Sequence, residues 1–162
     1  MVLLPLLFLF QVPTVTDPKA APPRPVEQPV PYSHKKHIAL GLACKNCHEN
    51  ADPGEMMGFP PVTFCMSCHK AVKAESPHIR KLARHAEEKS EPVWRRVYQI
   101  PSYVFFSHRA HLEANAKCET CHGAVPERDV LWGEANISMG GCMDCHRAHK
   151  ASNDCNYCHE PR

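Results

Sequence analysis

All ten cysteines of this 162-residue chain fall into five Cys-x-x-Cys pairs, and a histidine directly follows each pair. The pairs are Cys44/Cys47, Cys65/Cys68, Cys118/Cys121, Cys142/Cys145 and Cys155/Cys158; the histidines are His48, His69, His122, His146 and His159. Zinc sites and disulfide frameworks also use paired cysteines, but neither needs a histidine after every pair. At the histidine frequency of this chain, five such coincidences have odds of roughly one in a million by simple multiplication. Cys-x-x-Cys-His is the attachment signature of c-type haem. The two thiols form thioether bonds to the porphyrin vinyl groups, and the histidine ligates the iron from one face. Five covalently bound haem c groups are therefore expected.

Composition agrees with a core that is not made of side chains alone. Hydrophobic residues make up 43% of the chain, but aromatic residues only 7%. Sixteen prolines and few long periodic runs argue against a large sheet or bundle. The expected fold is mainly α with a large irregular content, its interior built on stacked haems. A formal net charge of +2 implies no strong attraction to nucleic acid or to a membrane surface.

A duplication organises the chain. "YSHKKHIALGLACKNCH" (32–48) and "FSHRAHLEANAKCETCH" (106–122) share an aromatic residue, Ser-His-x-x-His, six intervening residues and an attachment motif. Such self-similarity marks a repeated structural unit. Each unit ends in a second motif, "MGFPPVTFCMSCHK" in the first and "MGGCMDCHR" in the second. Two two-haem units, 32–70 and 106–147, are expected, with a fifth motif at 155–159. Together they form a pentahaem domain over 32–159.

Each haem iron has two axial positions, and the motif histidine fills one. Seven histidines lie outside the motifs: His34, His37, His78, His85, His108, His111 and His149. Histidines three apart on one helical turn point to nearly the same side. They are too close to sit on opposite faces of one haem, but they reach two neighbouring haems. His34, His37, His108 and His111 are accordingly expected as the second ligands of four irons. A lone histidine is more often a satisfied surface residue; repetition at fixed spacing favours ligation here. For the fifth iron the candidates are Met139, His149, and the pair His78 and His85. A methionine ligand raises the reduction potential relative to a second histidine. The ordinary alternatives are a packing methionine, an exposed basic-loop histidine, and a solvated helix face.

Other segments have plainer roles. Residues 1–12, "MVLLPLLFLFQV", form an apolar leader, signal-like or an anchor, shorter than the about 20 residues that span a bilayer. Residues 13–31 hold seven prolines and are expected to be an extended linker that packs no core. Between the units, "SPHIRKLARHAEEKS" (76–90) reads as a helix, with Ser76 as N-cap and Pro77 at the first position. Its stripe is Ile79, Leu82, Ala83 and Ala86, and Pro92 ends it. Covalent haem attachment occurs outside the bacterial cytoplasm, so an exported, periplasmic protein is expected, with possible membrane association through its N-terminus.

The Ser-His-x-x-His and Cys-x-x-Cys-His arrangement resembles the class III multihaem cytochromes c. The blocks "WRRVYQIPSYVFFSHRAH" (94–111), "CETCHG" (118–123), "SMGGCMDCHR" (138–147), "ASNDCNYCH" (151–159) and "FCMSCHK" (64–70) more closely resemble the pentahaem cytochrome c subunit of alternative complex III, a bacterial quinol-oxidising membrane complex. The resemblance covers about residues 32–159. It implies electron transfer beside a quinol-oxidising or iron–sulfur subunit, without catalysis by this chain, and it favours Met139 as a ligand. The competing reading is a multihaem reductase of a small oxyanion, which needs one open iron. Seven spare histidines for five vacancies argue against it. A haem-based sensor or scaffold is a third reading, without an accompanying signalling domain.

Overall fold

The computed structural model describes residues 25–50 and 56–160. The leader at 1–12 and most of the linker lie outside the described residues. The elements are short: α1 (His34–Ile38), α2 (Cys44–Cys47), α3 (Val62–His69), α4 (Pro77–Glu87), α5 (His108–Glu113), α6 (Cys118–His122), a 3₁₀ turn (Val125–Glu127), α7 (Met139–Ala148) and α8 (Cys155–His159). No strand occurs among the described residues, and loops join the helices.

Local chemistry explains these helices. Ser33 accepts a hydrogen bond from the Lys36 amide, and Ser107 accepts one from the Ala110 amide. The same capping device therefore starts the leading turn of both repeats. Ser138 caps α7 through the Gly141 amide in the same way. α3 follows Pro61, which has no side-chain oxygen to offer. Its cap comes instead from Glu91, which accepts from the Val62 amide at 2.7 Å. Ser76 occupies the N-cap of α4 without a side-chain capping bond. The Pro at its first position supplies the preset φ and removes one amide that would need a partner.

Val30, Val62 and Leu82 are the buried hydrophobic residues among those described. Cys65, Met66, Ile79, Ala86 and Trp94 pack around them, joining α3 to α4. The end of the proline-rich linker corrects the expectation of a free tether. Val30 is 2% exposed and belongs to this core. Gln28 exchanges two hydrogen bonds with the Arg95 backbone, and Lys81 donates to the Pro29 carbonyl. Proline has no amide to offer, yet its carbonyl still accepts, and an extended chain can press an alternate side chain into a groove.

The repeats are joined by a polar clamp. The Lys35 amide donates to the Arg128 carbonyl, Ser33 bonds Asp129 at 2.6 Å, and Lys36 pairs with Asp129. Arg128 in turn forks onto Glu134 at 2.6 and 3.0 Å and lies over the Trp132 ring. This fixes α1 of the first repeat against the 3₁₀ turn of the second.

So small a side-chain core makes each of its members matter. Leu82→Ala is expected to lower the stability of the haem-loaded protein by about 2–3 kcal/mol. Chemical denaturation would measure the loss, and an unchanged visible spectrum would show that the haem environments survive.

Candidate haem-binding centres

Each attachment motif sits on a short helix, so its two cysteines lie one turn apart and its histidine follows at the helix end. Backbone carbonyls then orient the rings. His48 Nδ1 lies 2.7 Å from the Gly58 carbonyl, His69 Nδ1 2.9 Å from that of Val72, and His146 Nδ1 2.6 Å from that of Ser152. His159 Nδ1 lies 3.1 Å from the Tyr103 carbonyl. Only a protonated Nδ1 can donate to a carbonyl. The bond therefore selects the tautomer whose Nε2 lone pair is free to bind metal.

The leading histidines obey the same rule. His37 Nδ1 lies 2.8 Å from the Ser33 carbonyl, and His111 Nδ1 2.8 Å from that of Ser107. The aromatic residue before each turn steadies both of its histidines. Tyr32 stacks on His37 and meets His34 edge-on; Phe106 stacks on His111 and meets His108 edge-on. The two repeats thus reproduce one another ring by ring.

These turns carry the leading histidines to the motif histidines. The His37 and His69 centroids are 6.1 Å apart, those of His111 and His146 6.1 Å, and those of His108 and His122 6.3 Å. Two imidazoles on opposite sides of one metal ion, each nitrogen about 2 Å from it, set their centroids about 6 Å apart. His34 neighbours His48. Burial pushes its pKa down to about 4, and His48 and then His37 add to the shift. His122 is likewise held down by burial, then by His108 and His48. Neutral imidazole is the metal-binding form. The Nδ1 of His34 is also buried without a hydrogen-bond partner, which suits a ring whose remaining partner is not a protein group.

The candidates for the fifth iron are scattered. Met139 opens α7, 66% exposed, one turn ahead of Cys142. His149 is the exposed C-cap of α7. His78 is exposed on α4, and His85 on the same helix bonds the Ser90 hydroxyl. α4 packs against α3, which carries the second motif.

The surroundings fit a large apolar group at these sites. Phe59, Phe64, Tyr103, Phe105, Met139 and Tyr157 present apolar surface close to the motifs, while few side chains are buried. Asn46, Cys47, Met57, Phe59 and Phe64 line a hollow beside the first motif. The donor chemistry agrees: paired thiols for attachment, with neutral imidazoles aimed in from the other side.

Tyr98 is a supporting residue that the motif spacings did not reveal. Its hydroxyl accepts from the Glu134 and Ala135 amides and donates to the His122 carbonyl. Gly123, directly after that histidine, has φ +74°, and a Cβ there would lie 2.7 Å from the Glu134 Cβ. The glycine lets Glu134 close over the end of the third motif.

Comparison with known proteins decides the family. The model of the class III cytochrome c family matches residues 10–95, over half of the chain, and that of cytochrome c7 and related cytochrome c matches residues 104–160. The chain belongs to the class III cytochrome c family. It is 30% identical over 163 residues to a protein of Nitratidesulfovibrio vulgaris (strain Hildenborough) named menaquinone reductase, multiheme cytochrome c subunit. The match spans 83% of this chain and 77% of that relative. As a multihaem cytochrome of this family, the chain carries covalently bound haem c and transfers electrons. Its mainly helical and irregular architecture is the family's own. No helix among the described residues is long and apolar enough to cross a membrane.

Removing the Tyr98 hydroxyl tests the support of the third motif. Tyr98→Phe leaves two amides without an acceptor and is expected to cost about 1–3 kcal/mol in denaturation of the loaded protein.

Proposed function

We propose that the chain is a periplasmic pentahaem electron conduit serving a membrane quinone-linked respiratory complex. The observation that carries this reading is the set of three imidazole pairs about 6 Å apart, two of them with both Nδ1 atoms held by backbone carbonyls. In this reading His34 pairs with His48, His37 with His69, His108 with His122, and His111 with His146. Each pair would hold one haem iron, and the ten motif cysteines would provide the covalent attachment.

When attached, haem supplies one-electron iron chemistry; the chain's work is to hold and tune it. The backbone carbonyls keep the imidazoles of His37, His48, His69, His111, His146 and His159 in one tautomer and one orientation. Burial of His34 and His122 keeps those rings neutral. Four irons with two histidines each leave no position open to a substrate, which favours electron transfer over reduction of a small oxyanion.

The fifth iron takes His159 and, in this reading, Met139. Cys142 neighbours Cys158 of the fifth motif, and Met139 lies one turn before Cys142 on the same face of α7. His78 and His85 sit on α4, against the second motif. His149 closes the other end of α7 and is the second candidate.

The partner reading rests on likeness. The blocks resembling the alternative complex III subunit, and the relative named a menaquinone reductase subunit, both support a quinone-linked membrane partner. Periplasmic placement rests on the chemistry of covalent haem attachment and on the apolar run at 1–12.

Carbon monoxide distinguishes conduit from reductase. The reduced native protein is expected to keep its absorption bands when carbon monoxide is added. In Met139→Ala, about one fifth of the haem signal should become reactive, as one iron of five loses a ligand. Reaction of a fifth of the signal in the native protein would instead support the reductase.

A further inference from the structure

The order of the motifs in the sequence is not their order in space. We propose that the five haem sites form a single file running second, first, third, fourth, fifth motif, with the repeats joined head to head through their first motifs. This rests on the pentahaem reading above and goes beyond it by fixing the path and its two ends.

The file can be followed from one pair of neighbours to the next. At its start, Cys65 of the second motif neighbours Cys47 of the first. Tyr32 neighbours both thiols through its hydroxyl, and its ring lies against His34 and His37. The next step crosses the repeat boundary. Cys44 of the first motif neighbours Cys118 of the third, and His48 neighbours His122. Cys121 of the third motif then neighbours Cys145 and Cys142 of the fourth. Finally Cys142 neighbours Cys158 of the fifth.

Ring contacts support the step from third to fourth motif: Phe106 packs on both His108, 6.3 Å from His122, and His111, 6.1 Å from His146. The crossing between repeats lies beside the clamp in which α1 meets the 3₁₀ turn through Lys35–Arg128 and Ser33–Asp129. The last step is braced by His146 on the Ser152 carbonyl and by Asn153 on the Met143 carbonyl. Phe105, beside the ring-packing Phe106, donates its amide to the Cys158 carbonyl. Exposure is lowest where the two repeats meet. All four cysteines of the first and third motifs are half-buried, whereas Cys68, Cys142, Cys145 and Cys155 are exposed. The junction between the first and third sites is therefore the part best shielded from water, and the second and fifth sites are the two ends of the file.

The test is crystallography of the full-length, haem-loaded protein at the iron absorption edge, after a haem count by pyridine haemochrome. The thioether bonds assign each iron to its motif. Five irons with the first between the second and third, and the fourth between the third and fifth, are the expected result. Five irons in any other sequence, for example with the second next to the third, overturn the order and leave the pentahaem reading standing. Fewer than five attached haems overturn both.

Discussion

The hydrogen bond from a histidine Nδ1–H to a main-chain carbonyl is the interaction on which the rest of the architecture depends. It recurs at His37, His48, His69, His111, His146 and His159. Each bond fixes one ring, one tautomer and one direction for Nε2. The acceptors come from the preceding turn for the leading histidines and from more distant loops for the motif histidines. The loops between helices are therefore not filler. Gly58, Val72, Ser152 and Tyr103 must each bring a carbonyl to a particular place, and the irregular stretches around them take their shape from that need.

The scarcity of buried side chains follows from the same arrangement. A chain of this length with ordinary helices would bury many leucines and aromatics. Here Val30, Val62 and Leu82 are the buried hydrophobic residues among those described, with Pro92 beside α4 also buried. They gather where α3 and α4 meet, the one place where two helices pack closely. Elsewhere the helices are one to three turns long, too short to persist on propensity alone. Capping serines, ring stacking and the attached group must hold them. The polar clamp from Ser33 and Lys35 to Arg128, Asp129 and Glu134 has a similar part, joining the repeats where few apolar contacts exist to do so.

Much of this was legible in the sequence, because haem attachment demands side chains at fixed spacing. The five motifs, the two leading turns and the helix between the repeats all carry such patterns. The pairing of rings was not legible. His37 approaches a histidine 32 residues on and His111 one 35 residues on, and only the fold decides which goes where. The carbonyl acceptors were hidden for a simpler reason: every residue has a carbonyl, so no residue type announces it. Tyr98 and Asp129 were hidden because their partners lie 24 to 96 residues away. The linker was misread at its end because proline content describes the backbone, whereas Val30 and Gln28 are held through side chains.

Duplication gives the leading turn its physical meaning. Two histidines three residues apart have Cβ atoms about 5–6 Å apart, so the turn is a spacer between two neighbouring sites. Tyr32 or Phe106 packs on both rings at once, and neither ring can tilt without disturbing the other. In the proposed ligand assignment, the second ligands of two sites are set by one capped helical turn rather than by two independent loops. A displacement of α1 or α5 would move both together and keep their separation. A conduit needs constancy of this kind, because its sites must stay close while the exposed loops around them move. It also accounts for the chain repeating the whole unit, with aromatic residue, serine and both histidines at unchanged spacing, rather than adding attachment motifs singly.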